Sequence, residues 1–359
     1  GSNANGHFTL AGLEPLQSAK GFGFVAVGEK TNVAGSRRFA KLVAQGDWDT
    51  AVSIARAQVD AGAEVLDVCM DDTLLNAPEA MENFLRHLSS DPDVARVPIM
   101  VDSSDFTVIE TGLRCLQGRS VVNSISLRDG DAAFVERAKL IKRYGAAVIV
   151  MLADEEGQAV TTERRVSVAQ RSYQLLTNGA GYLPHEIIFD PNVLTVGTGM
   201  AEHASYALSF IESCRIISQQ CPGALISGGV SNLSFAFRGN NHLREVLHAV
   251  FLHHAKEAGL SMAIINPETL PSINDVDITL RELCEDLILN RRSDATERLI
   301  AHSKQLDTKV EAQVKHNQWE DLAPRQRLEY AIEHGEVAHL TSDVSKVLLE
   351  QGSAISVVE

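Results

Sequence analysis

The chain has 359 residues, 45% of them hydrophobic, enough for one large core or for a core plus an appendage. A formal net charge of −15 describes an acidic, solvated surface and argues against nucleic acid or an anionic membrane as partner. The five cysteines are scattered without a CxxC pair, and no apolar run approaches the roughly 18 residues of a membrane span, so a reduced, cytoplasmic protein without a disulfide or zinc framework is expected.

Gly1-Ser2-Asn3-Ala4 has the character of an expression-tag remnant, and the rest of residues 1–21 reads as a plug or hairpin beneath a barrel. From residue 22 short apolar runs alternate with helical periods. Strands are expected over 24–28, 64–68, 97–101, 120–123, 146–151, 186–189, 224–227 and 261–265. All are rich in Val, Ile, Leu or Ala and lack strict alternation, as parallel strands covered on both faces do. Ala51, Ile54, Ala55 and Val59 repeat at helical spacing after the capping residue Asp47. So do Met81, Phe84, Leu85 and Leu88, and later Ala207, Phe210, Ile211, Cys214 and Ile217. Asp105 is placed to cap a further helix, and 278–299 reads as the last helix of the series.

Eight strand–helix units over residues 22–305 predict a (β/α)8 barrel. No GxGxxG follows the first strand, which weighs against a dinucleotide fold. Residues 306–323 are polar and read as a linker. Residues 324–359 carry two more helical periods, Leu328, Ala331 and Ile332, then Val344, Val347 and Leu348, with no strand to cover.

In such a barrel function sits at the C-terminal strand ends. Those ends read Glu29-Lys30-Thr31-Asn32, Asp67 to Asp71-Asp72, Asp102-Ser103-Ser104, Asn123-Ser124, Asp154-Glu155, Asp190-Pro191-Asn192, Gly228-Gly229 to Asn232, and Asn266. Asp and Asn also start turns and cap helices, so one alone says little; their recurrence on nearly every strand points to a site. A rim of carboxylates and amides suits a heterocycle that presents N–H donors and ring-nitrogen acceptors. A phosphorylated sugar would call for more cations than Lys30, Arg37, Arg38 and Arg238. Asp67, Asp71 and Asp72 also fit capping, and no metal site is expected from them. His248, His253 and His254 read as surface or packing residues, and no motif for covalent catalysis occurs.

Several stretches resemble the folate-binding domain of cobalamin-dependent methionine synthases. They are Gly28-Glu29-Lys30-Thr31-Asn32-Val33-Ala34-Gly35-Ser36, Val101-Asp102-Ser103-Ser104, Val122-Asn123-Ser124-Ile125-Ser126-Leu127, Phe189-Asp190-Pro191-Asn192 and Ser227-Gly228-Gly229-Val230-Ser231-Asn232-Leu233-Ser234-Phe235. Asp154-Glu155-Glu156-Gly157-Gln158-Ala159 and Leu289-Asn290-Arg291-Arg292 also look like that family. Trp319 and Arg327-Leu328-Glu329-Tyr330-Ala331 resemble the start of the helical cap over its cobalamin domain.

The resemblance implies a pterin-binding barrel that passes the methyl group of 5-methyltetrahydrofolate to cob(I)alamin. It implies that Asp102, Asn123 and Asp190 bond the pyrimidine edge of the pterin and that Asn232 approaches N5 as the catalytic residue. Glu29, Asn32, Asn192, Ser234 and Arg238 would complete the rim, with Arg238 a partner for the pteridine or the glutamate tail. The implied partners are cobalamin-binding and homocysteine-binding domains, the latter holding zinc; neither the zinc domain nor the B12-binding His motif is expected within this chain. Cys69 and Ala153, and Pro267-Glu268, depart from the family pattern. Two other readings stand beside methyl transfer: a folate-binding module inactive without partner domains, and a transferase like dihydropteroate synthase.

Overall fold

The computed structural model describes residues 23–118 and 120–306. Eight parallel strands close a barrel: β1 Val25–Gly28, β2 Val65–Cys69, β3 Ile99–Asp102, β4 Val121–Ile125, β5 Ala147–Met151, β6 Ile187–Asp190, β7 Leu225–Gly229 and β8 Met262–Ile265. Each strand pairs with its neighbour in sequence, and β8 closes on β1 from Val25↔Met262 to Gly28↔Ile265. The fold is therefore the (β/α)8 barrel that the alternating pattern predicts. Nearly every strand residue is buried, since helices cover the outer face and side chains fill the inside.

Val25, Val27, Val65, Met100, Val121, Ala147, Ile149, Ile188 and Met262 form the interior cluster, with Leu225 and Ile264 against it. Strand side chains alternate, so these residues define the inward parity of all eight strands. Outside, helices start at side-chain caps. Asp47 accepts from the Thr50 N–H before Trp48–Asp60, Asn76 from Glu79 before Ala77–Ser89, and Asp105 from Thr107 before Phe106–Cys115.

Three details depart from the pattern read in sequence. Two helices, Arg37–Gln45 and Trp48–Asp60, follow β1, because Gly46 at φ 68° ends the first and Asp47 caps the second. A small hairpin, Ala153–Asp154 with Gly157–Gln158, is inserted after β5. The expected helix over 278–299 is broken: Ile278–Ile288 ends before Asn290, which sits at φ 50°.

The chain divides into two compact units, Gly1–Thr296 and Glu297–Glu359. The first contains the barrel; within the second, residues 297–306 are helical. The plug expected in 1–21, the linker from 307 on and the helical segment at 324–359 lie outside the described residues. Among the described residues no helix is long and apolar enough to cross a membrane.

Candidate active site

The inward parity that points Val65, Met100, Val121, Ile149, Ile188 and the partly buried Leu225 to the interior continues two residues further along each strand. Those next positions are Asp67, Asp102, Asn123, Met151, Asp190 and Ser227. An apolar floor thus gives way, within one step of the pleat, to a layer of acceptors at the C-terminal mouth. Asp102 and Asn123 are direct register partners on β3 and β4, while Met151 and Asp190 are partners on β5 and β6. Asp102, Asn123 and Asp190, expected to share one ligand edge, are therefore brought onto the same inner wall.

The remaining expected residues are placed as follows. Glu29, at the end of β1, accepts from the Ser231 hydroxyl at 2.9 Å (Oε1) and 2.7 Å (Oε2), a bond that ties the β1 and β7 rims together. Asn32 is built into the turn after β1: its Oδ1 accepts from the Ala34 N–H at 2.9 Å, and its Nδ2 lies 3.4 Å from Asp67 Oδ2. Asn192 sits at φ 70°, a left-handed conformation that Asn tolerates, and its N–H donates to Asp190 Oδ1 at 2.9 Å. Asn232 is exposed on the turn after β7. Its Nδ2 donates to the Val193 carbonyl at 2.7 Å, and its own carbonyl accepts from Thr195 Oγ1 at 2.8 Å.

Two residues are not brought to the bowl. Ser234 is fully buried beneath the turn, where its hydroxyl meets His248 Nε2 at 2.6 Å and accepts from Arg244 Nε at 2.8 Å. Its burial makes it a support for the turn. Arg238 has its guanidinium over the exposed Phe235 ring, 4.7 Å from the centroid. The carboxylates after β5 are also engaged in the protein: Asp154 pairs with Arg164, and Glu155 with Arg171.

The two glycines of the β7 motif differ. Gly228 has outward parity, and a Cβ there would lie 2.9 Å from Val193 Cγ2 and 3.1 Å from Phe210 Cζ. It lets the strand approach helix Tyr206–Gln220. Gly229 has inward parity, and a Cβ there would meet nothing within 4 Å, so this glycine borders open space at the mouth.

Sequence reasoning missed three residues that hold this rim. Arg244, one turn into helix Asn241–Glu257, also donates from Nη2 to the Ser231 carbonyl at 2.9 Å. His248, expected as a surface or packing residue, packs behind the turn and supports the rim through Ser234, and burial with Arg244 nearby lowers its pKa to about 4, so it is neutral at pH 7. Arg165 is wholly buried on helix Thr162–Gln174, donating to the Asn192 carbonyl and to Ser209 Oγ, each at 3.1 Å. In sequence it follows another arginine in a polar stretch and looks solvated; only the tertiary contact reveals it.

Burial dominates the electrostatics of the bowl. It pushes Asp190 up to about 6, against the Asn192 hydrogen bond and nearby Arg165. It pushes Asp67 well above the usual carboxylate range, with Asp102 adding to the effect, and it raises Asp102 and Glu29 as well. Among the described residues no group of three or more His, Cys, Asp or Glu is arranged to hold a metal ion. Cys69 is buried with inward parity beside Asp102, and its thiol is pushed up by burial and by that carboxyl. Its backbone, rather than its side chain, secures the β1 turn, through the Thr31 carbonyl at 3.2 Å and the Val33 N–H at 3.1 Å.

A closed (β/α)8 barrel whose C-terminal mouth is lined by half-buried carboxylates and amides has the architecture of a barrel enzyme with its site at the strand ends. The chain belongs to the pterin binding enzyme family, whose model matches residues 28–266. Its fold is similar to that of the dihydropteroate synthase of Xanthomonas albilineans solved with 4-aminobenzoic acid, at 13% identity and a TM-score of 0.50, covering 73% of this chain and 93% of that one. The dihydropteroate synthase of Thermus thermophilus in complex with 6HMPPP aligns at 19% identity and a TM-score of 0.49, covering 73% of this chain and 96% of that one.

Proposed function

We propose that the barrel binds 5-methyltetrahydrofolate and transfers its N5-methyl group to a corrinoid, as the folate module of a cobalamin-dependent methionine synthase. The observation that carries this reading is at β7. The group offered to the ligand there is an amide, Asn232, while the two arginines nearest in sequence are engaged, Arg238 with Phe235 and Arg244 with Ser231 and Ser234. A pyrophosphate leaving group would want those cations free. A pterin suits the bowl: its N–H and NH2 donors face Asp102 and Asp190, and the Asn123 amide serves a mixed edge.

A tertiary amine leaves poorly, so N5 must carry a proton as the C–N bond breaks and its electron pair returns to nitrogen. With Nδ2 of Asn232 donated to Val193, its Oδ1 is left as an acceptor, the partner that a protonated N5 needs. The carboxylates of the inner wall favour that cation electrostatically. A cob(I)alamin presented by a separate domain would supply the nucleophile for the methyl group. Gly229 leaves open space at the mouth beside this site.

The second reading is a dihydropteroate synthase-like transferase, which the family match accommodates equally well. A comparison of variants tests the first. In methyl transfer from 5-methyltetrahydrofolate to reduced cobalamin, Asn232→Ala should slow turnover by at least 10-fold, the equivalent of about 1.4 kcal/mol. Glu155→Ala, which loses a surface ion pair with Arg171, should stay within about 2-fold. Equal losses would remove Asn232 from its role.

A further inference from the structure

The most buried carboxylate of the bowl belongs to none of the expected ligand contacts. Asp67 has inward parity on β2 and is 2% exposed. Its Oδ2 faces Asn32 Nδ2 at 3.4 Å, and its Oδ1 is buried without a hydrogen-bond partner among the described residues. Asp67 stands opposite Met100 and Asp102 opposite Cys69, so the two carboxyls are diagonal inward neighbours on the paired strands β2 and β3, and each perturbs the other. The charged groups facing it are acids: Asp102 from β3 and Glu29 from the end of β1. Cys69, on its own strand, is a buried thiol, and Asp71 beyond it is held by Ser103 Oγ at 2.6 Å and by the Ser104 N–H at 2.7 Å. Among the described residues no lysine or arginine offsets a charge on Asp67.

Two carboxyl groups that share a hydrogen bond cannot both be ionised; one must supply the proton. The choice between them is set by burial. Asp102 is partly open to the mouth, where water or ligand donors can solvate its charge. Asp67 is sealed below it, and an anion there would leave a charged oxygen unpaired at a cost of several kcal/mol. A neutral acid has the right valence: one oxygen accepts from Asn32 and the hydroxyl donates to Asp102.

We infer that Asp67 is a positioning residue held as a neutral carboxylic acid, whose hydroxyl donates to Asp102 and leaves Asp102 the anionic acceptor that faces the pterin. The consequence is directional. Asp67 fixes the rotamer of Asp102 from behind and directs the remaining lone pairs of Asp102 toward the mouth. A buried anion at position 67 would instead repel the charge on Asp102 and compete for the same ligand donors. The inference rests on the assignment of Asp102 as a pterin contact, but not on methyl transfer.

Asparagine at position 67 is the discriminating substitution, because its carbonyl accepts from Asn32 and its amide donates to Asp102 as a neutral acid does. Binding is read by calorimetry at pH 7 with 5-methyltetrahydrofolate and, separately, with 7,8-dihydropterin, so failure of the folate reading leaves the pterin test intact. Asp67→Asn should bind within about 3-fold of the wild type, whereas Asp67→Ala should bind at least 10-fold more weakly, the size of one lost hydrogen bond to a charged group. Thermal scans of both variants report folding. Infrared difference spectra of the wild type against Asp67→Asn should show a protonated-carboxyl C=O band at pH 7 that the variant lacks. Absence of that band overturns the inference, whatever the affinities. A band present while Asp67→Asn binds as weakly as Asp67→Ala also overturns it, since a neutral Asp67 would then not act through Asp102.

Discussion

Alanine substitutions at the adjacent glycines of β7 should have opposite consequences. At Gly228 the new methyl group would lie 2.9 Å from Val193 Cγ2 and 3.1 Å from Phe210 Cζ. Both neighbours are buried core residues, Phe210 on helix Tyr206–Gln220 and Val193 in the β6 loop, so neither can swing into solvent. Overpacking of this kind costs about 1–3 kcal/mol. For a barrel of this size that corresponds to a fall in Tm of roughly 2–10 °C. At Gly229 the methyl group would meet nothing within 4 Å, and φ of −83° is open to any residue. Gly229→Ala should therefore be neutral or stabilising by up to about 1 kcal/mol, through the reduced entropy of the unfolded chain. Its methyl group would nevertheless project into the open mouth where the proposed pterin binds, and should weaken pterin binding about 10-fold or more, as a steric intrusion of about 1.4 kcal/mol does. Differential scanning calorimetry and a fluorescence titration with 5-methyltetrahydrofolate read the two effects on the same samples. The reasoning fails if Gly229→Ala lowers Tm more than Gly228→Ala, or if Gly229→Ala binds as the wild type does.

Asp190→Asn should trade function for stability. Burial holds Asp190 up near 6 against an ordinary 3.8, so the folded state prefers the proton. That preference stabilises the native state below pH 3.8 and is lost as pH rises through about 6. The variant should match the wild type near pH 4 and exceed it by up to about 3 kcal/mol at pH 7.5 in urea unfolding, while losing pterin affinity. For the wild type, pterin affinity should rise with pH through about 6 as Asp190 ionises, then level off; calorimetric titrations at several pH values check this. Arg165→Met removes two charge-assisted hydrogen bonds, to the Asn192 carbonyl and Ser209 Oγ, and should cost about 2–4 kcal/mol by urea unfolding. Little or no loss would mean that Arg165 does not hold the β6 turn.

The barrel was legible because its strands are short apolar runs at regular spacing, and their observed bounds lie within two residues of the expected ones at either end. The acceptor layer was legible because a carboxylate or amide closes most of those runs. What the sequence hid depends on contacts between distant elements. Gly228 and Gly229 look alike in a motif, yet parity sends one to the helix and the other to the mouth. Ser234 reads as a rim residue until the turn folds it onto His248 and Arg244. The hairpin at Ala153–Asp154 has strands of two residues, too short for any periodicity. Asp67, in a run of acids that also fits helix capping, acquires its meaning only from the register that sets β2 beside β3.

The most direct test of the central claim is a pair of assays on one preparation. In the first, the protein is mixed anaerobically with 5-methyltetrahydrofolate and reduced cobalamin, and methylcobalamin is followed by absorbance. In the second, it is given a dihydropterin pyrophosphate and 4-aminobenzoate, and condensation is followed by chromatography. Methyl transfer in the first with no product in the second is the predicted result. Condensation without methyl transfer would contradict the account and assign the acceptor bowl to the synthase chemistry instead.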